Sequence, residues 1–372
     1  MTSIKSFVTN QLREEGCDRD AKSACDRDER LWLLSDSNGA NCDGVEFFVV
    51  FPEEGDSLDL ECELGAHGTT LFEGRWETEV KVNGKTLAPV GKWETLCLDF
   101  DSKYAYFERS VPLEAGRRFS RRVLLSYCES LLVIADELAP RADERGETLL
   151  RSIRSLLPAT PDVAPNVDDD AREIGFYSTP SALSTDSTRG KKTKRGKTSG
   201  KRDEEEALVA ELANSAAATT AKPNAKTPAK PIALFYPIGL PEWRADASRG
   251  DFRLIDRQGE RGRGLELTTS DTASTIFAPL VVDFNRRRAE RKRAWKPLTV
   301  GESLRQAKKE DAFGRKLQLG NEQYVLYAST TDSPAVRSIL GRHLFSDFMF
   351  GKFLASLGVD PIIDVELEDE ER

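Results

Sequence analysis

One segment of the chain constrains its fold more than any other, because it combines strict alternation with a defined turn. Residues 76–82 read Trp-Glu-Thr-Glu-Val-Lys-Val, and Asn83-Gly84 follows at once. Alternation with a period of two is typical of a strand that buries one face. Asn-Gly supplies the two positive-φ residues of a type I′ turn, whose twist matches that of a hairpin. We therefore predict an antiparallel hairpin, with Lys85 at the start of the returning strand.

Short runs with strand character continue along most of the chain. They are bounded by Gly, Pro, Asn and Asp, as strands usually are. Residues 130–138 are almost all apolar, which predicts a strand buried on both faces. Residues 345–357 fit either a strand or a short helix. A second hairpin is predicted at residues 317–327, around Gly320-Asn321. Further strands are predicted at residues 45–51, 58–64, 93–100, 104–111, 117–127, 149–157, 232–236, 252–256, 264–268, 274–283 and 362–368.

Helical signals are few by comparison. A short helix is expected at residues 3–15 and a loop at residues 18–30, and no longer segment has a sustained 3.6-residue periodicity. Many short strands without long helices are typical of packed antiparallel sheets. The predicted fold class is therefore all-β: a large antiparallel β-sandwich, of the supersandwich type, with a long disordered insert.

The expected insert is residues 158–231. This segment has few large apolar side chains and is rich in Pro, Lys, Ser and Ala. Such a composition buries too little apolar surface to offset the entropy of ordering the chain. A short strand at 172–177 and a short helix at 204–213 are the interruptions that we expect.

The insert divides the chain into further parts. Residues 1–30 form an N-terminal segment, residues 31–157 the first part of the sandwich, and residues 232–372 the second part with an acidic tail. If strands on the two sides of the insert pair, it decorates one sandwich; if they do not, it separates two domains. We predict one structure built from both sides.

Composition limits the partners and the compartment that we expect. The chain has 372 residues and a formal net charge of −9, which disfavours binding to nucleic acid or to an anionic membrane. Its first residues lack the apolar core of an export signal. We therefore expect a cytoplasmic protein with reduced thiols. Cys62, Cys97 and Cys128 lie in strand patterns, where a thiol packs as a small apolar group.

The residue types that catalysis and metal binding need are sparse. The two histidines are His67 in Gly-Ala-His-Gly and His343 in Gly-Arg-His-Leu, and neither adjoins a nucleophile motif. No Cys or His pair has the short spacing of a zinc site. Residues 259–264 are rich in Gly but lack the Lys of a phosphate-binding loop. We expect no metal, no cofactor and no catalytic residue.

Basic and aromatic residues give two signals of binding. The runs at residues 191–202 and 286–293 could each contact a polyanion, but no aromatic residues are interleaved with them, as stacking on bases requires. Tryptophans could form a sugar-stacking platform, although in strands they are more often core residues. The four candidates are Trp76, Trp93, Trp243 and Trp295.

Residues 106–138 carry a resemblance to a known family. A basic strand, Arg-Arg-Phe-Ser-Arg-Arg-Val-Leu-Leu-Ser-Tyr, leads through a tight turn into the hydrophobic strand Ser-Leu-Leu-Val-Ile-Ala-Asp-Glu-Leu. This pattern resembles the β-sandwich part of the heparinase II/III-like polysaccharide lyases, and Arg121, Arg122 and Asp136 occupy the matching positions. Residues 295–330 also resemble the C-terminal β-hairpins of bacterial proteins with the same layout, and we expect membership of such a bacterial family.

The resemblance implies a sandwich detached from its catalytic domain. In the lyases, proton abstraction by His and Tyr depends largely on an α/α toroid that precedes the sandwich, and this chain has no toroid pattern. No catalytic residue is therefore carried over. The first hypothesis is a non-enzymatic module that binds a carbohydrate or a protein, with Arg121, Arg122 and Asp136 as candidate binding residues. The alternative is a carbohydrate-active lyase or hydrolase.

The same three residues also have a structural interpretation, which we prefer. An arginine at the rim of the first strand, Arg121 or Arg122, is expected to pair with Asp136 on its hairpin partner. Such an exposed ion pair would fix the register of the two strands.

Overall fold

Strands account for most of the residues that the structure describes, so the predicted all-β fold class is confirmed. One compact unit comprises Met1–Thr179 together with Pro231–Arg372. The computed structural model describes residues 3–17, 22–35, 44–53, 55, 57–141, 148–168, 173–179, 230–238, 250–256, 263–273, 275–285, 293–302, 305–307, 312–329, 336–344, 347–354 and 358–365.

A single helix, α1 (Ile4–Glu14), precedes the strands of the described chain. It begins after Ser3, whose side-chain oxygen accepts a hydrogen bond from the Ser6 N–H. The helix predicted at residues 3–15 is confirmed. The strands are β1 (Ser23–Cys25), β2 (Leu31–Ser35), β3 (Val45–Val50), β4 (Leu60–Ala66), β5 (Thr69–Val82), β6 (Lys85–Thr86), β7 (Glu94–Phe100), β8 (Tyr104–Leu113), β9 (Arg117–Ser126), β10 (Leu131–Ala139), β11 (Arg151–Ala159), β12 (Val163–Asp168), β13 (Glu173–Ser178), β14 (Ala233–Pro237), β15 (Gly250–Asp256), β16 (Arg263–Asp271), β17 (Ile276–Asp283), β18 (Arg293–Pro297), β19 (Gly301–Glu302), β20 (Arg305–Gln306), β21 (Ala312–Leu319), β22 (Glu322–Ser329), β23 (Arg337–Ile339), β24 (Arg342–Leu344), β25 (Phe348–Leu354) and β26 (Gly358–Val365).

The described strands form four antiparallel sheets. Sheet A has nine strands in the order β1-β2-β3-β4-β5-β11-β16-β15, with β6 added to β5. Sheet B has eight, in the order β12-β13-β14-β17-β10-β9-β8-β7. Sheet C has five, β18-β21-β22-β25-β26, and sheet D has four, β20-β19-β23-β24.

Strands from the two sides of residues 180–229 pair with each other. β10 pairs with β17, β11 with β16, and β13 with β14. Because β13 precedes these residues and β14 follows them, the segment joins two neighbouring strands of sheet B. Sheets A and B are therefore each built from both parts of the chain.

Three apolar cores alternate with the sheets. The first fills the space between sheets A and B and contains Trp32, Phe72 and Val123. The second lies between sheets B and C, and the third between sheets C and D. On the outer face of sheet A, Val8 and Leu12 of α1 pack against Leu31 and Phe48.

β10 lies in the middle of this stack. Leu132 and Ile134 belong to the core shared with sheet A, whereas Leu131 and Val133 belong to the core shared with sheet C. All nine residues of the strand are buried. The predicted burial of residues 130–138 on both faces is thus confirmed.

The turns that the sequence predicts are present. Asn83 and Gly84 have φ angles of 49° and 79° and connect β5 to β6, as a type I′ turn requires. Gly320, with φ of 67°, opens the predicted turn between β21 and β22. Residues 348–354 form β25, so the strand alternative holds for the described part of 345–357.

The start of the predicted insert is ordered, contrary to the sequence analysis. β12 and β13 lie within residues 158–231, and Val163, Ile174 and Phe176 are buried in the first core. A composition averaged over the whole segment hides these few apolar residues. The strand predicted at 172–177 corresponds to β13, while the helix predicted at 204–213 lies outside the described residues.

Two smaller predictions are also wrong. Residues 23–25 form β1 within the predicted loop at 18–30, because they pair with β2. Cys128 lies in the turn between β9 and β10 and is exposed, not in a strand. Cys62 and Cys97 are in strands, as expected, and the five cysteines in the described part of the chain are free thiols.

Candidate functional site

Arg121 and Asp136, two of the predicted site residues, form a buried ion pair. They are direct cross-strand partners on β9 and β10. The Arg121 Nε and Nη2 atoms each donate to one carboxylate oxygen of Asp136, both at 2.7 Å. Nη2 also donates to Thr78 Oγ1 at 3.1 Å, and the guanidinium lies 3.7 Å from the ring centre of Trp76. The pair therefore lies between sheets A and B.

Arg122, the third predicted residue, points to the opposite face of sheet B. Its Nε donates to Glu108 at 3.0 Å and its Nη1 to Glu137 at 2.7 Å, and Tyr106 donates to Glu108 at 3.2 Å. Burial lowers the pKa of Arg122, but Glu108 and Glu137 outweigh it and raise the pKa above its ordinary value. Arg122 therefore stays charged within the core that sheets B and C share.

The three predicted residues thus divide between two interior layers. Arg121 is 0% exposed, Arg122 1% and Asp136 4%. A ligand at the surface does not reach them. Buried charges of this kind are tolerated where they are paired and hydrogen-bonded, and both networks provide such partners.

The histidines lie apart from each other. His67 Nε2 is 2.8 Å from the carbonyl oxygen of Phe284, so the ring joins the turn between β4 and β5 to the end of β17. His343 is exposed on β24, opposite Ser338. Within the described residues, neither ring is hydrogen-bonded to a nucleophilic side chain.

The tyrosines next to carboxylates are poor bases. Tyr104 donates to Asp99 at 2.6 Å, and burial followed by this hydrogen bond raises its pKa. Burial and the nearby Glu108 raise the pKa of Tyr106 well above its ordinary value. Both phenols therefore stay protonated near neutral pH.

The predicted tryptophan platform does not form. Trp76 and Trp93 are 2% and 6% exposed and belong to the first core. Trp295 is half-buried against the second core, and Trp243 lies outside the described residues. Of the basic runs, 191–202 and most of 286–293 also lie outside them.

Polar and aromatic side chains gather instead on the outer face of sheet C. Sheet D covers part of this face, where Val325 and Met349 pack against Ile339. The same face carries five further side chains, which we call the basic–aromatic patch, and one of them, Phe353, is half-buried against the third core. They are Lys296, Lys316, Gln318, Gln323 and Phe353.

Strand register brings the patch together. Lys296 on β18 is the cross-strand partner of Lys316 on β21, and Gln318 is the partner of Gln323 on β22. Lys316 and Gln318 share a face because side chains alternate along a strand. The Lys316 Nζ atom lies 3.8 Å from the ring centre of Phe353 on β25, which is a cation–π contact.

The two glutamines form a directed chain of hydrogen bonds. Gln323 Nε2 donates to Gln318 Oε1 at 2.9 Å, and Gln318 Nε2 donates to the carbonyl of Gly320 at 2.6 Å. This chain fixes both amide planes at the edge of the patch. Among the described residues, no donor binds the Gln323 Oε1 atom, which can accept a further hydrogen bond.

The patch carries positive charge without compensation from the described residues. Burial lowers the pKa of Lys316, and the charge of Lys296 lowers it further. Neither ammonium group has an ion pair with a carboxylate of the described chain. Like charges directly opposite each other destabilise a sheet, so the fold tolerates an electrostatic cost here.

The described residues contain no further sign of a metal or membrane site. No group of three or more His, Cys, Asp or Glu side chains among them is arranged to hold a metal ion. No helix in the part of the chain that the structure describes is long and apolar enough to cross a membrane.

Comparisons with known proteins give a weak likeness of fold. No protein-family model matches the chain, and no curated protein sequence is significantly similar to it. Heparan sulfate lyase HepC from Pedobacter heparinus is 9% identical with a TM-score of 0.48, over 87% of this chain and 46% of the lyase. A mutant of that lyase is 10% identical with a TM-score of 0.48, over 87% of this chain and 46% of the mutant lyase. A heparinase III with methylated lysines is 10% identical with a TM-score of 0.49, over 88% of this chain and 47% of that protein.

This chain thus spans about half the length of the solved structures that it matches, 46% to 47%. The expected resemblance to heparinase-like proteins is confirmed only as a weak likeness of fold.

Sequence analysis missed the patch because its members come from four strands. Lys296 and Lys316 are 20 positions apart in the chain, and Phe353 follows much later. The alternation of 317–327 indicates that Gln323 shares a face with residue 325, but only the pairing of β18, β21, β22 and β25 makes the side chains neighbours.

Proposed function

We propose that this protein is a non-catalytic carbohydrate-binding module and that the basic–aromatic patch is its ligand surface. The observation that supports this proposal is the position of Lys316 over the ring of Phe353, beside the hydrogen-bonded pair Gln318 and Gln323. An aromatic ring offers an apolar surface to the C–H face of a sugar. Amide and ammonium groups supply the donors and acceptors that sugar hydroxyls need.

A binding role fits the titratable groups better than catalysis does. A lyase needs a base that can take a proton near neutral pH. His67 is engaged with a backbone carbonyl, and burial raises the pKa of Tyr104 and of Tyr106. His343 is exposed opposite Ser338, and no hydrogen bond joins its ring to a carboxylate or a hydroxyl group of the described residues. The environments of these four residues support a binding module without catalytic activity.

A carbohydrate-active enzyme is the alternative, and one cluster favours it. Tyr324 donates to both Glu129 and Glu322, and Lys352 donates to the same two carboxylates at 3.3 and 2.8 Å. Shared donors bring the carboxyl groups close together, as in retaining glycosidases, where the separation is about 5–5.5 Å. However, Glu322 and Glu129 raise the pKa of Lys352 against the effect of its burial. The charged lysine thus binds both carboxylates, and such an ion-pair network favours a structural role for the cluster.

The experiment that tests the proposal is a glycan array, followed by titration of the best glycan into four proteins. Wild type and Phe7→Ala should bind alike, because Phe7 is an exposed aromatic residue on α1, 45% accessible and away from sheet C. Phe353→Ala should weaken binding about tenfold, as expected when a stacking contact of 1–3 kcal/mol is removed. Gln323→Ala should weaken it less. The absence of binding to any glycan would overturn the proposal.

Turnover separates the proposed function from the alternative. Product release from neutral and acidic polysaccharides should stay at the level of buffer for wild type. Turnover that is lost in Glu322→Gln, with the fold retained, would establish the enzyme alternative instead.

A further inference from the structure

We infer that Lys316 is an autoinhibitory residue of the basic–aromatic patch: its ammonium group covers the face of Phe353 on which a ligand stacks, so that binding requires displacement of the lysine. This inference rests on the proposed function and adds to it the step that limits affinity. The Lys316 Nζ atom lies 3.8 Å from the ring centre of Phe353. Groups in contact lie within about 4.0–4.5 Å, so a sugar ring stacked on Phe353 would occupy the position of the ammonium group.

The other side of the Phe353 ring is turned to the protein. Phe353 is half-buried and packs against the third core. Its cross-strand partner on β26 is Val359, which is buried in that core. The surface of the ring that remains for a ligand is therefore the one that Lys316 covers.

Lys316 reaches this ring across a whole strand. β22 lies between β21, which carries Lys316, and β25, which carries Phe353. Neighbouring strands are about 4.8 Å apart, so the lysine side chain extends over about two strand spacings. An extended lysine loses rotamer entropy, and the cation–π contact with Phe353 offsets this loss.

Lys296 lies on the opposite side of Lys316 from the ring. It is the cross-strand partner of Lys316 on β18, the edge strand of sheet C. Partial burial lowers the pKa of Lys316, and the charge of Lys296 lowers it further, as repulsion between like charges does. Repulsion from β18 and attraction by the ring therefore both favour the position of the ammonium group over Phe353.

NMR spectroscopy of the free protein tests the contact itself. The ε-methylene protons of Lys316 should be shifted upfield by the ring of Phe353, and Phe353→Leu should remove this shift while it keeps an apolar side chain. An unshifted Lys316 signal in the wild type would overturn the inference.

Titration of the best glycan of the array tests the inhibition. Lys316→Ala should bind this glycan about two- to fivefold more tightly than wild type, as expected when the cation–π contact of an exposed lysine no longer opposes binding. The gain should come from faster association, because the ligand binds only the molecules in which the ring is uncovered. Lys316→Arg should bind as wild type does, since a guanidinium also stacks on an aromatic face.

Two further lysine variants separate the parts of the mechanism. Lys296→Gln should increase the affinity less than Lys316→Ala, because it removes the repulsion and leaves the cation–π contact. Lys81→Ala is the matched control. Lys81 is a strand lysine on sheet A, 2.7 Å from a carboxylate oxygen of Glu79, and its variant should bind the glycan as wild type does.

The two proposals fail in different ways. If Lys316→Ala binds the glycan no more tightly than wild type while Phe353→Ala weakens binding, the autoinhibitory inference falls and the carbohydrate-binding function stands. Faster dissociation from Lys316→Ala would show that the lysine contacts the ligand, and this result would also overturn the inference. If no glycan binds to any of the proteins, both proposals fall.

Discussion

The guanidinium of Arg121 binds both carboxylate oxygens of Asp136 at 2.7 Å, across two strands in the centre of the layered sandwich. The pair is buried on all sides and stacks on Trp76. Its geometry is that of a bidentate pair, which fixes strand register as well as charge.

Removal of one partner of this pair should destabilise the protein strongly. Arg121→Met leaves Asp136 as an unpaired buried charge, and we expect a loss of about 3–5 kcal/mol in the free energy of unfolding. The double variant Arg121→Met with Asp136→Leu should recover much of that loss, because no charge remains unpaired. Urea unfolding measures both. Equal losses in the single and double variants would contradict the assigned pairing.

Thiol reactivity should follow burial. Burial raises the pKa of Cys62 to about 12, whereas Cys128 is exposed in the turn before β10. The thiolate is the reactive form, so an aromatic disulfide reagent should modify Cys128 rapidly and Cys62 only after unfolding. Peptide mapping of samples quenched at successive times shows which thiol has reacted. The variant Cys128→Ser should lack the rapid phase of modification. Rapid labelling of Cys62 in the folded protein would show that the first core is open.

Acidic residues on the outer face of sheet A should make stability depend on pH. Glu61 is exposed on β4, but partial desolvation by its neighbours, with a smaller effect of Asp59, raises its pKa above the ordinary 4.5 despite the opposing charge of Arg75. The folded state then holds this proton more tightly than the unfolded chain does. Stability contributed by protonated Glu61 is therefore present below about pH 4.5 and lost as pH rises through the raised pKa. Glu61→Gln should lose less stability than wild type between pH 4.5 and 7 in urea titrations. If the free energy of unfolding changes with pH to the same extent in Glu61→Gln and in wild type, the assigned pKa shift is wrong.

The connection between β13 and β14 should be dispensable for the fold. The two strands are antiparallel neighbours, with Ile174 opposite Phe235, and the Ile232 N–H donates to the carbonyl of Phe176 at 2.6 Å. Replacement of residues 181–229 by a short Gly-Ser loop shortens the closed loop about eightfold, which should stabilise the protein by about 1–2 kcal/mol. Thermal unfolding tests this. A large fall in Tm would show that these residues contribute to the core.

Much of the fold could be predicted from local pattern, and the site could not. The hairpin at Asn83-Gly84 and the double burial of residues 130–138 follow from turn chemistry and apolar runs, which are local properties. The pairing of β10 with β17 depends on contacts between distant segments, for which a single sequence holds no signal. The ordered β12 was missed because its few buried residues are diluted in a polar window, whereas the strand at 172–177 was predicted and corresponds to β13.

In the candidate site, too, some features follow from local sequence and others depend on contacts between distant segments. A pair between an arginine of β9 and Asp136 could be predicted, since a tight turn joins the two strands, but the expected position at an exposed rim is wrong. The complete burial of this pair depends on sheet A, which packs Thr78 and Trp76 onto it from another part of the chain. The meeting of Lys316 with Phe353 requires the order of sheet C, so it was visible only in the fold.

Hydrogen exchange with and without the best-binding glycan of the array tests the central claim most directly, because it locates the ligand on the molecule. If the basic–aromatic patch binds the saccharide, protection should appear in peptides from Ala312–Leu319, Glu322–Ser329 and Phe348–Leu354, and it should vanish in Phe353→Ala. Peptides from the outer face of sheet A should exchange as before. Protection on sheet A or β9, or none at saturating ligand, would contradict the assignment.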